Sequence, residues 1–199
     1  MIDSTIKCKS SFLSCEKDTE EILYKLFIKS RQYSESLKRL LLIPNKDCLS
    51  NTENTEYKKI VQQADLKYLR NNGYLILEPR VKMPEHEEKK SYIILSFDNF
   101  IQNKTNPEFR DCVVTFDIIS HIDTWDIGNY QLRPLKICGY IDGLLNRTRL
   151  SGIGTFQFIG CSELILDNNY AGYTLMYSAV HGSDDLIERN GPIPERIYK

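Results

Sequence analysis

A chain of 199 residues, 41% hydrophobic and 27% charged, holds enough apolar mass for one folded domain with extensions. Its formal net charge of −1 implies no global attraction to nucleic acid or to a membrane surface. Its longest apolar runs fall far short of a membrane span and no signal-peptide pattern opens it, so folding in the cytosol is expected.

Residues 1–17 are polar and mixed, without a clean period, and read as an N-terminal arm. A helix is expected to open at Asp18 or Thr19, where Asp18 and Glu21 have capping-box spacing. Ile22, Leu23, Leu26, Phe27, Tyr33, Leu37, Leu40 and Leu41 form its apolar stripe, and Pro44 stops it. A loop then leads into a second helical pattern with Tyr57, Ile60, Val61, Ala64 and Tyr68 on one side. Asn71-Asn72-Gly73 is its stop signal. GYLILEPRV reads as a strand, MPEHEEKK as a charged connector with a solvated His86, and SYIILSFDNF as a second strand. Residues 98–110, rich in Asn with Thr and Pro, are expected to form a loop reaching outward. Its Phe100, Ile101 and Phe109 are either tucked against the sheet or reserved for a neighbour.

The stretch from Asp111 to Val180 organises the chain. Cys112, Val114, Phe116, Ile118 and Ile122 fall on one face of a long strand at period two, while Val113, Thr115, Asp117, Ile119 and His121 fall on the other. The first set faces a core, and the half-polar second set suits a partly covered or partner-covered face. After DTWDIGN the period changes: Ile137, Cys138, Ile141, Leu144 and Leu145 give a helical stripe with Pro134 in its first turn and Asn129 or Arg133 near the cap. Gly139 and Gly143 each weaken that helix, so a closely packed neighbour is expected there. Two strands around Asp167-Asn168-Asn169 form a hairpin, with Phe156 and Phe158 on one face and a bulge or close approach at Gly160. This hairpin is apolar on much of both faces, which makes it a core sheet or an edge meant for another subunit. Residues 183–199, ending Ile197-Tyr198-Lys199, read as a C-terminal arm.

Catalytic patterns are missing. Asp117 and His121 share a strand face but stand about 13 Å apart at ~3.3 Å per residue, too far for a hydrogen bond. No Walker-type loop, dinucleotide fingerprint or nucleophile elbow occurs. The six cysteines and three histidines have no metal-ligand spacing, and without a secretion signal the thiols are expected to remain reduced. No cofactor, metal or catalytic residue is therefore expected. A basic face for nucleic acid is also lacking.

The fold expected is α+β: a mixed, mainly antiparallel sheet with long β-hairpins, packed against two or three helices. In the succession YIILSFDNF, VVTFDIISHIDTWDIGN, RPLKICGYIDGLLN and the hairpin ending YTLMYSAVHG, preceded by EEILYKLFIKSRQYSESLKRLLL, the chain resembles the tail terminator and neck (head–tail connector) proteins of tailed bacteriophages. The resemblance covers residues 18–182 as a single domain, with residues 50–90 as an insertion. It implies a structural virion protein without catalysis, assembled in the host cytoplasm into a homo-oligomeric ring, hexameric or dodecameric. Such a ring contacts the tail tube and the portal or connector proteins and passes DNA through its lumen, with no membrane involved. Phe100, Ile101, Phe109, Trp125, Ile197 and Tyr198 are the candidate contact residues. A small-ligand-binding or enzymatic α+β domain is the alternative.

Overall fold

Apolar residues alternating along three long strands dictate one sheet face, and the amphipathic helices supply the layer that covers it. In the computed structural model, residues 15–77, 89–105, 109–150 and 153–181 are described. Helices α1 (Cys15–Tyr24), α2 (Arg31–Leu42), α3 (Thr55–Gln63) and α4 (Leu66–Asn71) precede strands β1 (Leu75–Ile76), β2 (Ser91–Gln102) and β3 (Arg110–His121). Helix α5 (Arg133–Leu145), a small β4–β5 ribbon (Arg149–Leu150, Gly154–Thr155), β6 (Gln157–Ile165) and β7 (Tyr170–His181) follow. The sheet runs β1-β2-β3-β7-β6. Only the β1–β2 pair is parallel, so this is a mixed, mainly antiparallel α+β fold.

Ile93 and Leu95 of β2, Cys112, Val114, Phe116 and Ile118 of β3, and Leu175, Tyr177 and Ala179 of β7 line the covered face. They join Ile22, Leu26, Leu37, Leu40, Ile137, Ile141 and Leu145 from the helices in one core. Tyr57, Val61, Ala64, Leu69 and Leu75, from the stretch read as an insertion, belong to the same core. The other sheet face carries a smaller cluster of strand residues alone: Tyr92, Ile94, Ile119 and Tyr170.

Several expectations need correction. The first helix already runs at Cys15, so Asp18 is a buried helical residue rather than a cap. It also breaks: a π-helical turn spans Lys25–Lys29 and Ser30 is extended, after which α2 starts in a new direction. The Ser34 hydroxyl donates to the Leu26 carbonyl at 2.8 Å, satisfying one of the groups freed by that break. Tyr33, counted in the stripe, is exposed in consequence.

The second helix is likewise two. Asn54 caps α3 through bonds from the Glu56 and Tyr57 amides, and Asp65 caps α4 through a 2.6 Å bond from the Tyr68 amide. An aspartate that can bind backbone amides competes with helix continuation. The new phase buries Leu69 and exposes Tyr68. Gly73 then ends α4 at a φ of 69°. Of the strand expected over 73–81, Leu75–Ile76 forms; residues 78–81 lie outside the described residues, as do His86 and both ends of the chain.

Strand β2 continues to Gln102, through residues assigned to a loop, by means of a bulge between Asp98 and Ile101 with Asn99 at a φ of 54°. At the far end of β3 the strand stops at His121, whose Nδ1 accepts from the Asp123 amide, so Ile122 turns outward instead of joining the core. The residue capping α5 is Leu132. Asn129, at a φ of 51°, belongs to the preceding turn.

Gly139 and Gly143 correct the packing argument outright, because a Cβ at either would meet nothing within 4 Å. Gly139→Ala is expected to raise stability by about 1 kcal/mol, the difference in helix propensity, seen as a higher urea midpoint. The close approach lies elsewhere. Gly172 of β7 pairs with Ile119, and a Cβ there would collide with the Ile118 carbonyl oxygen and sit 2.8 Å from its carbon. Gly172→Ala is expected to force the β3–β7 ladder apart and to cost about 3 kcal/mol in the same assay.

The β6–β7 hairpin forms as expected. Asp167 Oδ1 accepts from the Asn169 and Tyr170 amides at 2.7 Å each, and the register slips between Phe158 and Gly160. Phe156 and Phe158 part company: the first is fully buried, the second exposed.

Candidate assembly surface

The long strands differ sharply in how they are covered. Strand β6 pairs with β7 alone and is the outermost described strand on that side, so one row of its backbone N–H and C=O groups has no sheet partner. All nine of its residues are exposed or half-exposed. Apolar side chains are prominent among them: Phe158 is 48% exposed, Ile159 51% and Ile165 76%, with Leu166 following in the turn. Ile159 is the bulged residue, without a partner in the β7 register.

Helix α5 holds the other side of this hairpin. The Tyr177 hydroxyl donates to Asp142 Oδ1 at 2.8 Å, joining β7 to the helix. Burial, and then the Asp142 carboxylate, push its phenol well above the ordinary range. Phe158 meets the Tyr177 ring edge-on at 6.1 Å, so part of its area already packs on the core. Burial raises the Cys138 thiol of α5 to about 12.

The position of α5 is set by a residue that periodicity does not single out. Arg133, the first residue of α5, is fully buried. Its Nε donates to the Thr124 carbonyl at 2.7 Å, Nη1 to Leu40 and Ile43 at 2.6 and 2.7 Å, and Nη2 to Pro44 and Asn45 at 2.9 and 3.0 Å. All five guanidinium N–H groups are thereby used on carbonyls, several at the negative C-terminal end of α2. Burial lowers its pKa from a very high starting value, so it stays charged. An arginine beside a helix-starting proline reads as a surface residue; four of its five partners lie some 90 positions away and leave no local signal.

The sequence-nominated contact residues fall into separate places. Phe100, Ile101 and Phe109 gather at the tip of the β2–β3 hairpin, where the Asn103 amide donates to the Phe109 carbonyl at 3.0 Å. Ile101 is 52% exposed, while Phe100 stacks on Phe97 and packs against the core. Phe100 and Phe97 also line a groove of about 930 Å³ with Leu23 of α1, Leu66 of α4, Leu75 and Leu95. Trp125 lies past the opposite end of β3, half-buried, its Nε1 donating to the Ser120 carbonyl at 3.2 Å and its ring 6.2 Å from that of Tyr173. Ile197 and Tyr198 lie outside the described residues. The exposed strip on β6 was legible only as an apolar hairpin of undecided role.

Among the described residues, no group of three or more His, Cys, Asp or Glu side chains could hold a metal ion, and no helix is long and apolar enough to cross a membrane. Among curated proteins no match to the chain is found. A family model does match, over residues 34–179, from the start of the α2 stripe through the covered face of β7. The chain belongs to that family, YomW, a phage-derived family of proteins.

Proposed function

We propose that this phage protein is a subunit of the head–tail junction, a tail-terminator or neck-layer protein that closes into a ring with copies of itself. The ring caps the tail tube, presents its other face to the portal-side connector, and lets DNA pass through its lumen. The observation that carries the reading is the β6 edge, which combines an open hydrogen-bonding row with Phe158, Ile159 and Ile165 in water. A lone copy leaves that edge as a template for pairing, and a heterologous contact repeated around an axis closes into a ring. The function is geometric and needs no reacting group.

Light scattering and negative-stain imaging of the full chain, alone and mixed with the tube protein of the same phage, test it. Rings of six or twelve copies are expected, with the tube protein as template if the free chain does not close by itself. A chain that stays monomeric in both samples and binds no tube sinks the reading.

A further inference from the structure

Two long strands carry an open edge, on opposite sides of the sheet. Strand β1 pairs with β2 only at Ile93 and Ile94, and from Leu95 onward no described strand lies beside β2 on that side. The Ile93 amide donates outward to the Tyr74 carbonyl at 2.9 Å, so alternation aims the backbone groups of Leu95 and Phe97 the same way. Just past β6 the Leu166 amide turns inward to the Tyr170 carbonyl at 3.1 Å, and alternation then leaves those of Cys161, Glu163 and Ile165 pointing outward. Strands β2, β3, β7 and β6 alternate in direction, so β6 runs opposite to β2. With two sheets set edge to edge, the β6 of one copy meets the β2 of the next antiparallel.

The side chains fit the same arrangement. Phe158, Cys161, Glu163 and Ile165 stand opposite Tyr177, Leu175, Tyr173 and Ala171, which puts them on the helix-covered face. On that face, beside the open half of β2, lies the groove of about 930 Å³, floored by Leu95 and Phe97 and walled by Leu23, Leu66 and Leu75. Glu163 is the only charged residue of β6. The α4 wall of the groove carries Lys67 and Arg70 as counter-charges, with Glu16 and Glu20 on the α1 side.

We propose that the β6 edge of one copy pairs antiparallel with the open half of β2 in the next copy, laying Ile165 and the exposed part of Phe158 against that copy's groove. The inference rests on the ring reading and names its contact. Two different surfaces meet, so each copy keeps one of each kind to offer, and a closed ring uses them all. The pairing also removes both open edges at once. Strands β3 and β7 separate β6 from β2, so a chain does not fill its own groove.

Two native thiols report the contact. Cys161 is exposed on β6, and the half-buried Cys15 lines the groove. The full chain, alone and with the tube protein of the same phage, is treated with a short bismaleimide, run on a denaturing gel and mapped by mass spectrometry. A ladder of linked copies is expected, joined from Cys161 to Cys15. Separately, Ile101→Lys, at a residue of β2 that is 52% exposed, is expected to weaken association by roughly 10-fold or more, the loss of one buried isoleucine, with an unchanged thermal melt. Rings in which Cys161 is linked to another Cys161 or to the tube protein, or carries only single adducts, would overturn this pairing and leave the ring reading standing. So would rings undiminished by Ile101→Lys. A wild type that forms no rings in either sample would overturn both.

Discussion

Arg133→Met is expected to cost about 4 kcal/mol or more, since hydrogen bonds to a charged group contribute ~1.5–3 kcal/mol each and buried acceptors left without donors are penalised. Five carbonyls, of Leu40, Ile43, Pro44, Asn45 and Thr124, lose the guanidinium at once, while that of Asn45 keeps the Cys48 amide at 3.3 Å. Methionine matches much of the side-chain volume, so the loss reports polar groups rather than a cavity. The cation is held by carbonyl dipoles at the end of α2, an arrangement that suits the planar guanidinium and its fixed fork of donors. Arg133→Lys keeps the charge but brings three donors from one point, so it should fall between, at a cost of about 2 kcal/mol. Urea unfolding of the three proteins gives the ordering directly. A methionine variant within 1 kcal/mol of the wild type, an amount typical of a single ordinary hydrogen bond, would show that these bonds carry little net stability. Domains of this size are stable by about 5–15 kcal/mol in total, so the Met variant risks populating the unfolded state at ambient temperature.

The double variant Ile159→Lys, Ile165→Lys is expected to abolish assembly while leaving the monomer intact. Both side chains are more than half exposed, and surface changes of this kind usually move stability by no more than about 0.5 kcal/mol. At an interface each isoleucine would bury about 1.5–3 kcal/mol worth of apolar surface. Losing two, and adding lysines that must be desolvated, should weaken association by at least ~100-fold at 1.4 kcal/mol per decade. Lysine on an edge strand is also a common natural device against strand-to-strand pairing. Sedimentation measures the association and a thermal melt checks the fold. Rings that form undiminished from this variant would move the contact away from β6.

The strands of the covered face could be read from period-two alternation because their burial is one-sided and regular. Cys112, Val114, Phe116 and Ile118 fall where that pattern puts them. The turn at Asp167 and the bulge near Gly160 were readable because each rests on local backbone chemistry. The helices misled where the backbone left the helix within a continuing apolar stripe: at Asp65, whose side chain caps α4, and at Ser30, which is extended without a side-chain cap bond. Gly139 and Gly143 suggested close packing through a propensity argument, yet the crowded glycine is Gly172, whose neighbour comes from another strand. Large apolar residues in loops and in the C-terminal arm are the natural candidates for contacts, a criterion that picks out Trp125, which is bonded to its own chain at Ser120. The β6 strip was harder to see: Gln157, Ser162 and Glu163 dilute it, and an edge position is a property of strand order, which periodicity does not encode.

The arginine clasp also sets a timetable for biosynthesis. Until position 133 has cleared the ribosome, the Leu40 and Ile43 carbonyls at the end of α2 lack their guanidinium donor, whatever the earlier helices have achieved. The N-terminal half therefore waits on a side chain synthesised some 90 residues later. Maturation should come as one late step, with nascent chains halted before that codon still open to proteases.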